Sequence, residues 1–124
     1  MSVPILNIGN ILVASIQSAL SDHDLIELRD SLAESVGTSR ARGVVIDVGA
    51  LDVLDSFATR TLRSIAYTAK LRGAVAVVVG IQPDVAIAMV QLGLTLDGIL
   101  TAVDLNESLE LLRTRARTGR RHVV

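Results

Sequence analysis

The sequence predicts an α/β fold: a mixed, mainly parallel sheet of about five strands, entered by an N-terminal hairpin and covered by about four α-helices. Three features of the chain lead there. Gly43–Val48 and Ala74–Val79 are short, almost wholly apolar runs of the kind that form strands buried on both faces. Ser56–Leu71, between them, has helical periodicity, and a strand-helix-strand unit of this kind closes as a right-handed parallel crossover. Val3–Ile8 and Ile11–Ile16 are β-branched runs separated by Gly9-Asn10, a pair that favours a tight hairpin.

The remaining elements follow in chain order. Ser21 and Asp22 supply capping groups for a helix in which Leu25, Leu28, Leu32 and Val36 recur at intervals of three and four, with Gly37 as its expected stop. Asp24, Glu27, Asp30 and Glu34 mark its outer face. The helix opened by Ser56 has Leu62, Ile65, Ala66 and Ala69 as its inward stripe and ends at Gly73. Pro83-Asp84 starts a third helix carrying Val85, Ile87, Ala88, Val90 and Leu92, which stops near Gly93. Ile99–Val103 is a weak final strand, and Asp104 caps a last helix with Leu105, Leu109 and Leu112 inward.

Composition sets the bounds. At 124 residues and 50% hydrophobic, the chain is one domain, assigned to residues 1–113, followed by a basic tail at 114–124 that is expected to be flexible. Residues 113–124 hold five arginines and no acid, so the formal charge of -1 hides an acidic body and a basic end. The absence of cysteine removes disulfides, thiolate metal sites and cysteine nucleophiles together. The N-terminus lacks the pattern of a signal peptide, and no apolar run approaches the roughly 18 residues of a membrane span, so a cytoplasmic protein is expected.

The most informative stretch is Val53–Leu62, where a buried-strand pattern ends in an acidic turn and a helix opens on a serine. A helix N-terminus presents free amides and a partial positive charge, which makes a phosphoryl group on Ser56 electrostatically welcome. Ser56 is therefore a candidate regulatory site. The plainer reading is an ordinary N-cap, whose replacement by alanine costs about 1 kcal/mol. Asp55 is either a second capping group or a neighbour that orients the serine. Phe57, the only phenylalanine, either stands exposed as a partner contact or tucks under the sheet edge. Arg60 and Arg63, one turn on, are placed to moderate added charge or to meet acidic groups of a partner.

The starting hairpin, Gly43–Val48, the Asp55-Ser56-Phe57 turn, Ser15-Ile16-Gln17 and Gly80-Ile81-Gln82-Pro83, in this order and spacing, resemble a STAS domain, the fold of sulfate transporters and anti-sigma-factor antagonists. Within that superfamily they look like the single-domain stressosome antagonist of the RsbS type, over residues 4 to about 113. The resemblance implies a non-catalytic regulator of the bacterial general stress response that works by partner switching. Packed with co-antagonists of the RsbR type into a large assembly, it holds a switch kinase of the RsbT type. Phosphorylation of the aligned serine, here Ser56, releases the kinase, and a separate phosphatase resets the antagonist. Asp55, Phe57 and Arg60 would be the neighbours or kinase contacts. The larger co-antagonists carry a threonine just before the Gly-Ile turn; Val79 stands there in this chain, so a second switch site is not expected.

Other readings fare less well. A receiver domain phosphorylated on Asp47 or Asp55 needs clustered carboxylates for a divalent cation and a lysine near the phosphoryl group, but the first strands carry no acid and Lys70 lies late in a helix. Neither His23 nor His122 sits at a strand end near a nucleophile. Gly80–Asp84 lacks the lysine and glycine spacing of a nucleotide loop and reads as a structural turn. The arginine-rich tail has no recognisable reading motif for nucleic acid. No cofactor, metal, nucleic acid or membrane partner is expected. The nearest rival is a free-standing anti-sigma-factor antagonist, with the same phosphoserine logic but an anti-sigma kinase as partner and a small size under all mixtures.

Overall fold

The computed structural model describes residues 3–122, with side chains described as far as Arg115; most of the expected tail at 114–124 therefore lies outside the described side chains. The elements run β1 (Ile5–Ile8), β2 (Ile11–Ser15), α1 (Asp22–Ser39), β3 (Gly43–Asp47), α2 (Ser56–Leu71), β4 (Val75–Val79), α3 (Pro83–Gln91), β5 (Leu100–Ala102) and α4 (Leu105–His122). The sheet has the order β1-β2-β3-β4-β5, with β1 antiparallel to β2 and every other pair parallel. This is the α/β architecture expected from the sequence.

Strand periodicity of two divides the apolar residues between two layers. Leu12, Ala14 and Ile16, with Val44, Ile46, Val48 and Val78, face the layer built from α1, α2 and α3. Val13, Val45, Val77 and Val79 point the other way, against Leu112 of α4. Both faces of β3 are thus covered, which is why its sequence is continuously apolar instead of alternating. Each fully buried valine or isoleucine removed from water contributes about 1.5–3 kcal/mol. The inward stripe of α2 is as expected, with Leu62, Ile65, Ala66 and Ala69 all buried.

α1 begins with a reciprocal cap: the Asp24 amide donates to Ser21 Oγ at 3.1 Å and the Ser21 amide to Asp24 Oδ2 at 3.4 Å. The bond with Ser21 holds the Asp24 carboxyl below its ordinary range. A depressed carboxyl adds stability that is present above its unfolded pKa and is lost as pH falls through the folded one.

Gly37 does not end α1. The helix continues to Ser39, and Arg40 makes the left-handed turn at φ 52°, with the Ala41 amide closing on Val36 O at 3.2 Å. A non-glycine residue in this conformation costs about 1–2 kcal/mol, and a glycine inside a helix about 1 kcal/mol relative to alanine. The exposed Arg72 side chain reaches over Gly37, where a Cβ would lie 2.8 Å from its Cζ and the flexible guanidinium would shift aside.

Two further expectations are corrected at the far edge of the sheet. In α3 only Val85 and Met89 are buried, whereas Ile87, Val90 and Leu92 are exposed, because a nine-residue helix beside a three-residue edge strand has one stripe to bury. In α4, Leu112 is buried but Leu105 is exposed; its inward place is taken by Ser108, whose hydroxyl donates to Leu105 O at 2.6 Å. Asp104 caps α4 as expected, accepting from the Glu107 amide at 2.8 Å.

Candidate functional site

All helices that follow parallel strands start at the C-terminal edge of the sheet, so the loops there converge. The loop between β3 and α2 is held by two buried leucines, Leu51 and Leu54, on either side of exposed Asp52 and Val53. Its first turn is closed by the Gly49 amide donating to Asp47 Oδ1 at 2.9 Å, an aspartate turn of the ordinary kind. Across from it, Gln82 Nε2 donates to Gly49 O at 2.9 Å, which ties this loop to the turn between β4 and α3. The two turns approach so closely that a Cβ at Gly80, where φ is +80°, would lie 3.3 Å from Gly49 Cα and 3.3 Å from Asp47 Oδ1. Gly80-Ile81-Gln82-Pro83 is thus a buttress for the loop that delivers the serine. Sequence reading gave Gln82 no role; a polar residue between a buried strand and a helix-starting proline was its available signal.

Asp55, not Ser56, is the N-cap of α2. Its carboxylate accepts from the Ala58 amide at 2.8 Å and its carbonyl from the Thr59 amide at 2.9 Å. Ser56 is the first helical residue, exposed, with its hydroxyl outside the cap. Of the amides that begin the helix, those of Ala58 and Thr59 are therefore engaged, and those of Ser56 and Phe57 have no intrahelical acceptor. Phe57 is half-buried and packs against the core, while its carbonyl accepts from Thr61 Oγ1 at 2.8 Å. Arg60 is exposed one turn on. Arg63 is committed elsewhere, donating to Thr95 O at 3.1 Å in the loop before β5.

Beside the serine, an apolar hollow of about 120 Å³ opens between the loop after β2 and the start of α2, with Leu20, Val53, Leu54, Asp55 and Ala58 among its walls. Val53 is 72% exposed at its lip. The rim of this edge is acidic, with Asp52 and Asp55 exposed beside Ser56, so a partner seated here meets negative charge around one hydroxyl and one apolar recess. Among the described residues no group of histidine and carboxylate side chains is placed to hold a metal ion, and no helix is long and apolar enough to cross a membrane.

A model of the STAS domain family matches residues 2–109. Comparison with curated proteins gave no match. Among solved structures, a serine-to-glutamate variant of RsbS from Moorella thermoacetica is 37% identical, with a TM-score of 0.79 over 93% of this chain and 97% of that one. A chain from the molecular architecture of the stressosome, described as a signal integration and transduction hub, is 38% identical over 92% of this chain and 99% of its own, at a TM-score of 0.75. The anti-sigma factor antagonist SpoIIAA in its unphosphorylated form has the same fold at 13% identity, with a TM-score of 0.65 over 91% and 97% of the two chains. A family model that covers all five strands, together with a parallel sheet entered by a hairpin, places this chain in the STAS domain family.

Proposed function

We propose that this chain is a non-catalytic, cytoplasmic stressosome antagonist that sequesters a switch serine/threonine kinase of the RsbT type and releases it when phosphorylated on Ser56. The observation that carries this reading is the place of Ser56: exposed, at the first position of α2, and outside the bond network that starts the helix. The likeness to RsbS and to a stressosome chain over almost the whole length supports the same setting. The kinase supplies ATP and the catalytic base; Ser56 Oγ attacks the γ-phosphorus, the bond to the β-phosphate oxygen breaks, ADP leaves and the hydroxyl proton passes to the kinase. The antagonist contributes an exposed hydroxyl, an acidic rim and the apolar hollow at Val53, which suits an apolar side chain of the kinase.

A phosphoserine brings about -1.5 to -2 charge and three acceptor oxygens. At Ser56 it sits within reach of the two unclaimed amides, which stabilise it, and beside Asp52 and Asp55, which raise the negative potential that the kinase must face. Docking is lost by repulsion and desolvation while the fold stays in place. Co-antagonists of the RsbR type complete the assembly, and a separate phosphatase restores the hydroxyl.

The test is the intact mass of the wild type and Ser56→Ala after incubation with ATP and the switch kinase of the same organism, with a control lacking kinase. One phosphoryl group on the wild type alone, dependent on kinase, is the expected result. No addition would sink the reading, and addition without kinase would replace it with an enzyme. Mixing with larger STAS partners and measuring particle mass separates a stressosome component, which enters a megadalton-scale assembly, from a free-standing antagonist, which stays small.

A further inference from the structure

The opposite edge of the sheet carries a second site. Arg40, Arg42 and Arg72 line one open cleft of about 390 Å³, floored by Gly37, Ala41 and Gly73, where α1 and α2 end and β3 and β4 begin. Among the described residues none of these guanidiniums forms an ion pair or a side-chain hydrogen bond, although the body of the chain is acidic. Arg40 occupies a left-handed turn position at which glycine is the favoured residue, and the Arg72 guanidinium lies over Gly37 in the last turn of α1, so two of the three guanidiniums stand at the end of that helix.

We propose that this cleft binds a small polyphosphate anion. Guanidinium forks match phosphate oxygens two at a time, and several unpaired forks lining one cleft are suited to linked phosphates more than to one. The C-terminal ends of α1 and α2 turn their carbonyls toward this edge, so the arginines also offset a negative helix-end potential, and an arriving anion must engage the guanidinium tips, away from the backbone. The cleft size admits a pyrophosphate or the phosphate chain of a nucleotide. The site lies at the other end of the strands from Ser56 and does not depend on phosphorylation there.

The full chain is titrated calorimetrically with inorganic pyrophosphate and, separately, with ATP. Saturable binding of either probe, weakened at least about tenfold by Arg72→Gln and by Arg40→Gly, is the expected result. Binding of ATP but not pyrophosphate assigns the source to a nucleotide; equal binding assigns it to the phosphates alone. Three results would overturn the proposal. The first is no saturable binding of either probe. The second is binding unchanged in both variants but abolished when Arg115, Arg117, Arg120 and Arg121 are replaced by glutamine, which would place the anion on the tail. The third is an equal response to a glutamate-rich peptide, which would make the cleft a seat for acidic protein segments.

Discussion

The two edges of the parallel sheet treat charge in opposite ways. At the C-terminal edge four carboxylates are engaged by local structure: Asp24 binds the Ser21 amide, Asp47 the Gly49 amide, Asp55 the Ala58 amide and Asp104 the Glu107 amide. At the N-terminal edge Arg40, Arg42 and Arg72 share a cleft and have no side-chain partner among the described residues. Parallel topology explains the segregation, because helix N-termini and their acidic caps collect at one edge and helix C-termini at the other. It does not explain why one set is consumed and the other left over. An acidic residue that caps a helix is held by a bond, whereas these arginines offset a helix-end potential and leave their forks unbonded.

Four changes break or sharpen that contrast. The largest effect belongs to Ser56→Asp, which adds a carboxylate that caps nothing to an edge where four acids are already engaged; kinase affinity falls about 100-fold, measured by calorimetry, with the melting temperature unchanged. Unaltered affinity would show that charge at this edge is not read by the partner. Gly80→Ala comes next. It forces a Cβ into a left-handed turn against Gly49 and Asp47, lowering stability by about 2 kcal/mol in urea unfolding and loosening the loop that leads to Ser56. Asp55→Ala removes the cap of α2 and costs about 1 kcal/mol by the same assay; a silent substitution would mean that Ser56 takes over the capping. The smallest change is a gain: Arg40→Gly relieves the left-handed turn and stabilises the protein by about 0.5–1 kcal/mol. A loss instead would show that Arg40 is consumed by the fold after all, and the contrast between the edges would disappear.

Much of this was legible in the sequence because burial writes a period into it. The valine runs of β3 and β4 and the stripe of Leu62, Ile65 and Ala69 in α2 could be assigned to a layer from spacing alone. Ends of elements were less legible, for a physical reason. Asp55 and Ser56 are equally good caps by residue type, and the choice between them is made by the loop, whose anchors Leu51 and Leu54 fix where the helix can start. Gly37 looked like a helix stop because glycine favours the left-handed turn that ends helices, but Arg40 makes that turn three residues later. Ile87, Val90 and Leu92 have helical spacing but nothing over them, since periodicity reports which residues share a face and not whether a neighbour exists to cover it.

The one-residue offset between the cap of α2 and the serine beside it has a consequence for reversibility. The bond that nucleates the helix belongs to Asp55, so a group attached to Ser56 Oγ is added next to the hinge pin of the element and not through it. Under the proposed phosphorylation, both covalent forms would fold to nearly the same depth, and a chain could be marked and cleared many times without passing through an opened state. The message would be carried by what the surface offers, and the scaffold would keep no memory of it.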